Sequence, residues 1–186
     1  MEAEEEYMLG AMGDGYIDPK RGEIQVYQKN LEWLEYVNTV MLKALGVSGK
    51  ISKRDVYWLR KRSKRAATRL LALMQQRPDT VCFVAGLFDS EGSIYLSVSG
   101  TPVVDITQSE KGLRSILDTQ RILGLCGIES RVNGPYINRH GKLLQYHLRV
   151  YGRRRCVEFR KLVPIRHPDK IERFYRFCGT HTDSKL

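Results

Sequence analysis

Hydrophobic positions along this chain recur with two distinct periods. In GEIQVYQK, Ile24, Val26 and Gln28 fall on one side and Gln25, Tyr27 and Lys29 on the other, the two-residue period of a strand. In SIYLSVS, Ile94, Leu96 and Val98 alternate in the same way with Ser93, Tyr95, Ser97 and Ser99. Residues 57–62 (YWLRKR) read as a strand. So does LQYHLRVY, with Leu144, Tyr146, Leu148 and Val150 towards a core and Gln145, His147, Arg149 and Tyr151 away from it. Helical spacing appears at 4–13 and 80–90, the latter with Thr80 as N-cap. It appears again after Asn30, another N-cap, with Trp33, Val37 and Val40 to Leu45 on the apolar face. Basic amphipathic helices close each half. The predicted order is α-β-β-α-β-β-α, twice over.

The two halves also share residues. At an offset of 80, Val26 lies over Ile106, Gln28 over Gln108, Thr39 over Thr119, Leu42 over Ile122 and Leu45 over Leu125. Farther on, Tyr57, Leu59 and Arg60 match Tyr146, Leu148 and Arg149, and Asp14-Gly15 matches Glu91-Gly92. The period is far too long for a solenoid. The expected fold class is therefore α+β: a duplicated αββαββα unit with internal pseudo-twofold symmetry, divided into repeats 1–79 and 80–186.

Composition narrows the partner. Lys and Arg number 31 against 21 Asp and Glu, a net charge of +10. Residues 50–77 hold ten basic residues against the single acid Asp55, and residues 139–176 hold twelve against Glu158, Asp169 and Glu172, so each segment carries +9 and the rest of the chain −8. Two matched basic segments imply a two-part surface for a polyanion. No run of eighteen apolar residues suits a membrane span, and MEAEEEY opens with acids where a signal peptide would be expected to carry basic and apolar regions. The acidic start is expected to lie outside the core. Cys82, Cys126, Cys156 and Cys178 form no CxxC pair and are read as reduced core thiols of an intracellular protein, cytoplasmic or nucleoid-associated. Each sheet should have one greasy face and one face rich in Gln, Ser, Tyr, His and Arg, the donors and acceptors that read base edges. The expected DNA-contacting set is Gln25, Tyr27, Lys29, Arg60 and Arg62 in the first half, and Tyr95, Ser97, Gln145, His147, Arg149 and Arg153 in the second.

Two short stretches carry candidate chemistry. VAGLFDSEG (84–92) is an apolar helix with small Gly86 and Ser90 four residues apart, on one face, ending in an acid before Gly92, a residue suited to a left-handed helix stop. YMLGAMGDG (7–15) ends alike, although its first glycine, Gly10, stands one residue closer to its acid and does not align with Gly86. If these helices pack along their small faces, Asp14 and Glu91 arrive side by side at two helix C-termini, where backbone dipoles are also negative. A divalent cation resolves that repulsion. Mg²⁺ (or Mn²⁺) suits oxygen ligands completed by phosphates, and Asp14, Glu91, Gly13 and Ser90 are the candidate metal-binding positions.

VAGLFDSEG resembles the signature helix of the LAGLIDADG homing endonucleases, and YMLGAMGDG resembles a diverged first copy. The resemblance covers nearly the whole chain and implies a single-chain member with two antiparallel sheets forming a DNA-binding saddle. It further implies a staggered double-strand break in a long, pseudo-symmetric duplex site by metal-dependent phosphodiester hydrolysis, performed by a monomer. By the same resemblance Asp14 and Glu91 bind the catalytic metals, Gln28 and Gln108 order active-site water, and Lys170 supports the chemistry, with Arg77 as its counterpart in the first half. Two other readings stand beside this one. A relative of the same fold could bind intron RNA as a maturase or regulate DNA without cutting; a generic basic RNA-binding domain would make the acid pair coincidental.

Overall fold

The computed structural model describes residues 1–137, 141 and 144–179, and of Asp14 it describes the backbone only. His140 and His181 lie outside the described residues. The first half runs α1 (Ala3–Ala11), β1 (Gly15–Asp18), β2 (Glu23–Gln28), α2 (Leu31–Leu45), β3 (Lys50–Lys53), β4 (Tyr57–Arg62) and α3 (Lys64–Met74). The second runs α4 (Val81–Glu91), β5 (Gly92–Leu96), β6 (Pro102–Ser109), α5 (Leu113–Leu125), β7 (Arg131–Ile137), β8 (Leu144–Tyr151), α6 (Arg153–Leu162) and α7 (Pro168–Cys178). The fold is α+β and duplicated, as expected, except that two helices rather than one close the second half. Each half contains a four-stranded antiparallel sheet, ordered β1-β2-β4-β3 and β5-β6-β8-β7.

Register bears out the repeat. Gln28 pairs with Tyr57 in one sheet and Gln108 with Tyr146 in the other; Val26 pairs with Leu59 and Ile106 with Leu148. Because paired residues share a face, Ile24, Val26 and Leu59 turn inward in the first sheet, and Val104, Ile106, Leu148 and Val150 do so in the second, all buried. The expected inward face is shorter than its pattern. Leu96 is 45% exposed, Val98 is fully exposed and Leu144 is partly so. β5 ends at Leu96, and Ser97 begins a turn, its N–H donating to the Thr101 carbonyl at 2.8 Å. Cys126 is likewise exposed rather than a core thiol; all four cysteines are free.

At the centre, α1 packs along α4. A Cβ on Gly86 would fall on the carbonyl oxygen of Tyr7 and lie 2.8 Å from the Ala11 nitrogen; a Cβ on Gly10 would fall on the Phe83 oxygen and the Leu87 nitrogen. These contacts are reciprocal, so Gly10 and Gly86 are equivalent across the pseudo-twofold despite the missing residue. The difference is absorbed lower down, where Met12–Asp14 tightens into a 3-10 turn while α4 remains α-helical to Glu91. Five α steps from Gly86 to Glu91 advance about 7.5 Å; one α step and three 3-10 steps from Gly10 to Asp14 also advance about 7.5 Å. Both acidic ends therefore reach the same depth. The glycines after them are not left-handed stops: Gly15 and Gly92 are extended, at φ −109° and −82°. They are glycines because a Cβ would strike the preceding turn, at the Met12 side chain and at Phe88 respectively.

Buried acids tie the halves together. Glu5 and Glu6 are buried, contrary to the expectation for the acidic start. Glu6 accepts from the backbone of Thr80 at 2.8 Å and of Asp79 at 3.2 Å, and from the Thr80 hydroxyl at 2.6 Å, so α1 caps the start of α4. Asp89 in turn accepts from the Tyr7 hydroxyl at 2.6 Å and from the Arg166 and His167 backbone at 2.8 and 3.2 Å; Trp33 Nε1 donates to Tyr7 at 2.9 Å. Burial pushes the Asp89 carboxyl and the Tyr7 hydroxyl up. His167, tilted against Trp33 with ring centres 5.9 Å apart, is pushed down to about 4, first by burial and then by Lys170.

Two outcomes are expected. Gly86→Ala and Gly10→Ala each destabilise by about 1–3 kcal/mol or more, because backbone must move, whereas Gly124→Ala in α5, with open space around it, stabilises by about 0.5–1 kcal/mol; denaturant melts check all three. Between pH 6.5 and about 4 the unfolded chain protonates at His167 while the folded chain does not, so this group's stabilisation is lost as pH falls. The stability difference between wild type and His167→Phe, measured across that range, shrinks by up to about 3 kcal/mol.

Candidate active site and nucleic-acid interface

The lower ends of α1 and α4 meet where the two glycine-started strands diverge. A Cβ on Gly13 would lie 2.7 Å from Cγ of Glu91, 2.7 Å from the Ser90 hydroxyl and 3.3 Å from Glu91 Oε1. Glycine at 13 thus leaves the space into which the second acid reaches. Ser90 is spent on the seam, its Oγ 3.2 Å from the Gly10 oxygen and 3.1 Å from the Leu87 oxygen.

Lys170 reaches this place from α7. Its Nζ donates to the carbonyls of Phe88 at 2.7 Å, Asp89 at 2.6 Å and Ser90 at 3.2 Å, setting a cation on the negative end of α4. Arg77 is not its counterpart. It pairs with buried Asp118 of α5 at 2.9 Å, alongside Arg114 and Arg121, and so fastens the connection between halves. Gln28 and Gln108 occupy equivalent places at the ends of β2 and β6 but differ in surroundings. Gln28 Oε1 accepts from the Lys29 backbone at 2.8 Å, whereas the Gln108 side chain lies against Gly112, with Nε2 buried and unpartnered among the described residues. Also among the described residues, no three His, Cys, Asp or Glu side chains gather as a metal cluster. A cation here would rest on few carboxylates, backbone oxygens and phosphates, a hard-oxygen set that fits Mg²⁺ rather than a site built wholly from side chains.

The outward sheet faces hold most of the expected contact residues, arranged around acids that the polar pattern did not single out. Glu23, 2% exposed, accepts from Arg60 Nη2 at 2.8 Å and Arg62 Nε at 2.9 Å, and it also accepts from Gln25, which accepts from the Tyr27 hydroxyl. The arginines, Arg60 first, hold its carboxyl at about 2. Tyr27 stacks on Trp58, which lies under Arg54 and Arg60. In the second sheet Asp105, 6% exposed, faces His147 at 3.0 Å, Arg149 at 3.4 Å and the Tyr95 hydroxyl at 3.5 Å, while Thr107 reaches His147 at 3.0 Å. Gln145 pairs in register with Ser109 on the same face. Ser97, Lys29 and Arg153 are not part of either array: Ser97 closes its turn at Thr101, Lys29 follows the end of β2, and Arg153 begins α6. The signal for the missed acids was their odd-numbered place on the polar faces, Glu23 opposite Arg62 and Asp105 opposite Arg149.

Comparisons with known proteins agree with this architecture. Residues 80–164 match the family described as the LAGLIDADG-like domain. No curated protein matches the sequence. Among solved structures, a study of mesophilic variants of the homing endonuclease I-DmoI aligns with a TM-score of 0.66 at 23% identity, over 87% of this chain and 95% of that one. The K262A mutant of I-SmaMI aligns at 0.56 and 12% identity, over 96% and 99%. Full-length DUF199/WhiA from Thermatoga maritima aligns at 0.55 and 15% identity, over 94% of this chain and 60% of that one. The chain is thus a single-chain protein of the LAGLIDADG homing endonuclease fold, carrying a LAGLIDADG-like domain over residues 80–164.

Proposed function

We propose that the protein is a site-specific DNA endonuclease that makes a staggered double-strand break in a long, pseudo-symmetric duplex site. The observation that carries this reading is the meeting of Gly13 with the Glu91 carboxylate at the shared end of two helices, between two outward polar sheet faces. Structures of I-DmoI with DNA and Mn, and with DNA and Ca, support it as relatives of the same fold. Asp14 and Glu91 would hold divalent metal, which supplies hydroxide at neutral pH and stabilises the leaving oxygen of an in-line attack. The chain's own contribution is placement. The seam fixes both acids at one depth, Lys170 offsets the dipole behind Glu91, and the sheet faces set the duplex in register through base edges and phosphates. Gln28 and Gln108, at matching strand ends, would orient water for one strand each. One chain carries both motifs, so a monomer suffices, acting inside the cell.

Asp14→Asn and Glu91→Gln are each expected to lower cleavage by about a thousandfold or more while leaving Ca²⁺-supported DNA binding within about threefold. Sequencing the ends released from a randomised duplex library with Mg²⁺, beside a Ca²⁺ binding selection, checks this; wild-type binding without breaks would favour a non-cutting relative. Lys170→Met should destabilise by about 1–2 kcal/mol and slow nicking of one strand more than the other. Strand-resolved nicking on end-labelled duplex measures that difference, and equal slowing of both strands would limit Lys170 to support of the fold.

A further inference from the structure

A surface that meets a polyanion loses affinity for every carboxylate it contains, since each cancels a cation that would otherwise release counterions. Yet the two outward faces each contain one buried acid, and each acid collects the groups best able to read bases. Glu23 engages Arg60 and Arg62 through Nη2 and Nε and orders Gln25 and Tyr27 in a chain behind it. Asp105 gathers His147, Arg149 and Tyr95. Burying a carboxylate costs stability unless it is fully paired, and isolated core acids are often replaceable by apolar residues without loss. Here the pairing partners are the arginines of the polar face, not core groups.

We propose that Glu23 and Asp105 are specificity-determining positioning residues, which hold the arginines of the two sheet faces in one orientation and so set which bases each half accepts. The proposal rests on the endonuclease reading above. With Nη2 bonded to Glu23 and Nε turned to the same carboxylate, Arg60 is held in one direction, and the donors left for a base or phosphate are those of its Nη1/Nη2 end. Release from the acid frees the guanidinium to take guanine or phosphate, broadening base acceptance and strengthening non-specific binding.

The two hubs are not symmetric. Arg60 and Arg149 are equivalent in the repeat, but Asp105 stands directly opposite Arg149, where Gln25 stands opposite Arg60, and Glu23 lies two residues farther along, opposite Arg62. β1 and β5 both leave the acidic seam at a glycine, Gly15 beside Val26 and Gly92 beside Ile106. Glu23 is therefore three residues from that level and Asp105 one, a difference of about 7 Å along the strand. Arg60 and Arg149 stand at the same level, one residue out, so at about 3.4 Å per base step the base pairs reached by Arg62 lie about two steps farther from the point of cleavage than those reached by Arg60 or, in the other half-site, by Arg149.

The test is a randomised-duplex binding selection in Ca²⁺ with full-length wild type, Glu23→Gln and Asp105→Asn, with thermal melts confirming that each variant folds. Glu23→Gln is expected to lose about tenfold in discrimination at both the inner and the outer positions of one half-site, and Asp105→Asn at inner positions only of the other, with tighter non-specific binding in both. Unchanged base preference in a wild type and variants that do select a site overturns the proposal while sparing the endonuclease reading. So does a uniform loss of affinity at every position, or a fall in melting temperature with preferences intact, which assigns the acids to stability alone. If one variant fails to fold, the other decides on its own half-site. A wild type that selects no duplex site overturns both readings together.

Discussion

Everything in this molecule depends on two helix backbones coming closer than side chains permit. Gly10 and Gly86 each face the other helix's peptide groups with no room for a methyl. That approach places α1 and α4 in one rigid unit, from which each sheet departs by a single glycine. It also forces two acidic helix ends together, an arrangement that helix dipoles alone would oppose. Part of the opposition is met within the fold by Lys170, whose Nζ donates to the carbonyls ending α4. The seam thus fixes geometry first, and the electrostatics of the site follow from it.

Much of this was legible in the sequence because strand alternation and duplication leave local marks. The Gln28–Tyr57 and Gln108–Tyr146 pairings are the repeat seen in register, and the signature helix is visible from Gly86 to Gly92. What could not be read locally depends on partners far along the chain. Glu6 looks like part of a solvated acidic start, yet it caps a helix at Thr80, more than seventy residues on. Glu23 and Asp105 look like ordinary polar-face acids until strand pairing brings arginines across them. The misaligned Gly10 looks like a packing defect, because the sequence does not show that three residues of 3-10 turn replace four of α-helix. Val98 keeps a strand's alternation past Leu96, where the strand ends, since periodicity records side-chain preference but not where hydrogen bonding to β6 stops.

Fusing two copies in one chain relaxes a constraint that identical subunits must obey. Symmetry is kept where the backbones touch, at Gly10 and Gly86, since any change there disturbs both halves at once. Away from the seam the copies diverge freely. Gln28 lies beside a lysine where Gln108 lies beside Ser109, and the buried acid of the polar face sits opposite the second arginine of β4 in one sheet and opposite the single matching arginine of β8 in the other. Each of these differences changes a charged or hydrogen-bonding group at an outward position while leaving the inward pairings Val26–Leu59 and Ile106–Leu148 intact. A core that tolerates little and a surface that tolerates much are what a duplicated scaffold needs if its two halves are to address unlike half-sites from a common centre. The constraint at the seam is therefore what allows the faces to differ, because it holds their origin and depth constant while the chemistry on each face changes independently.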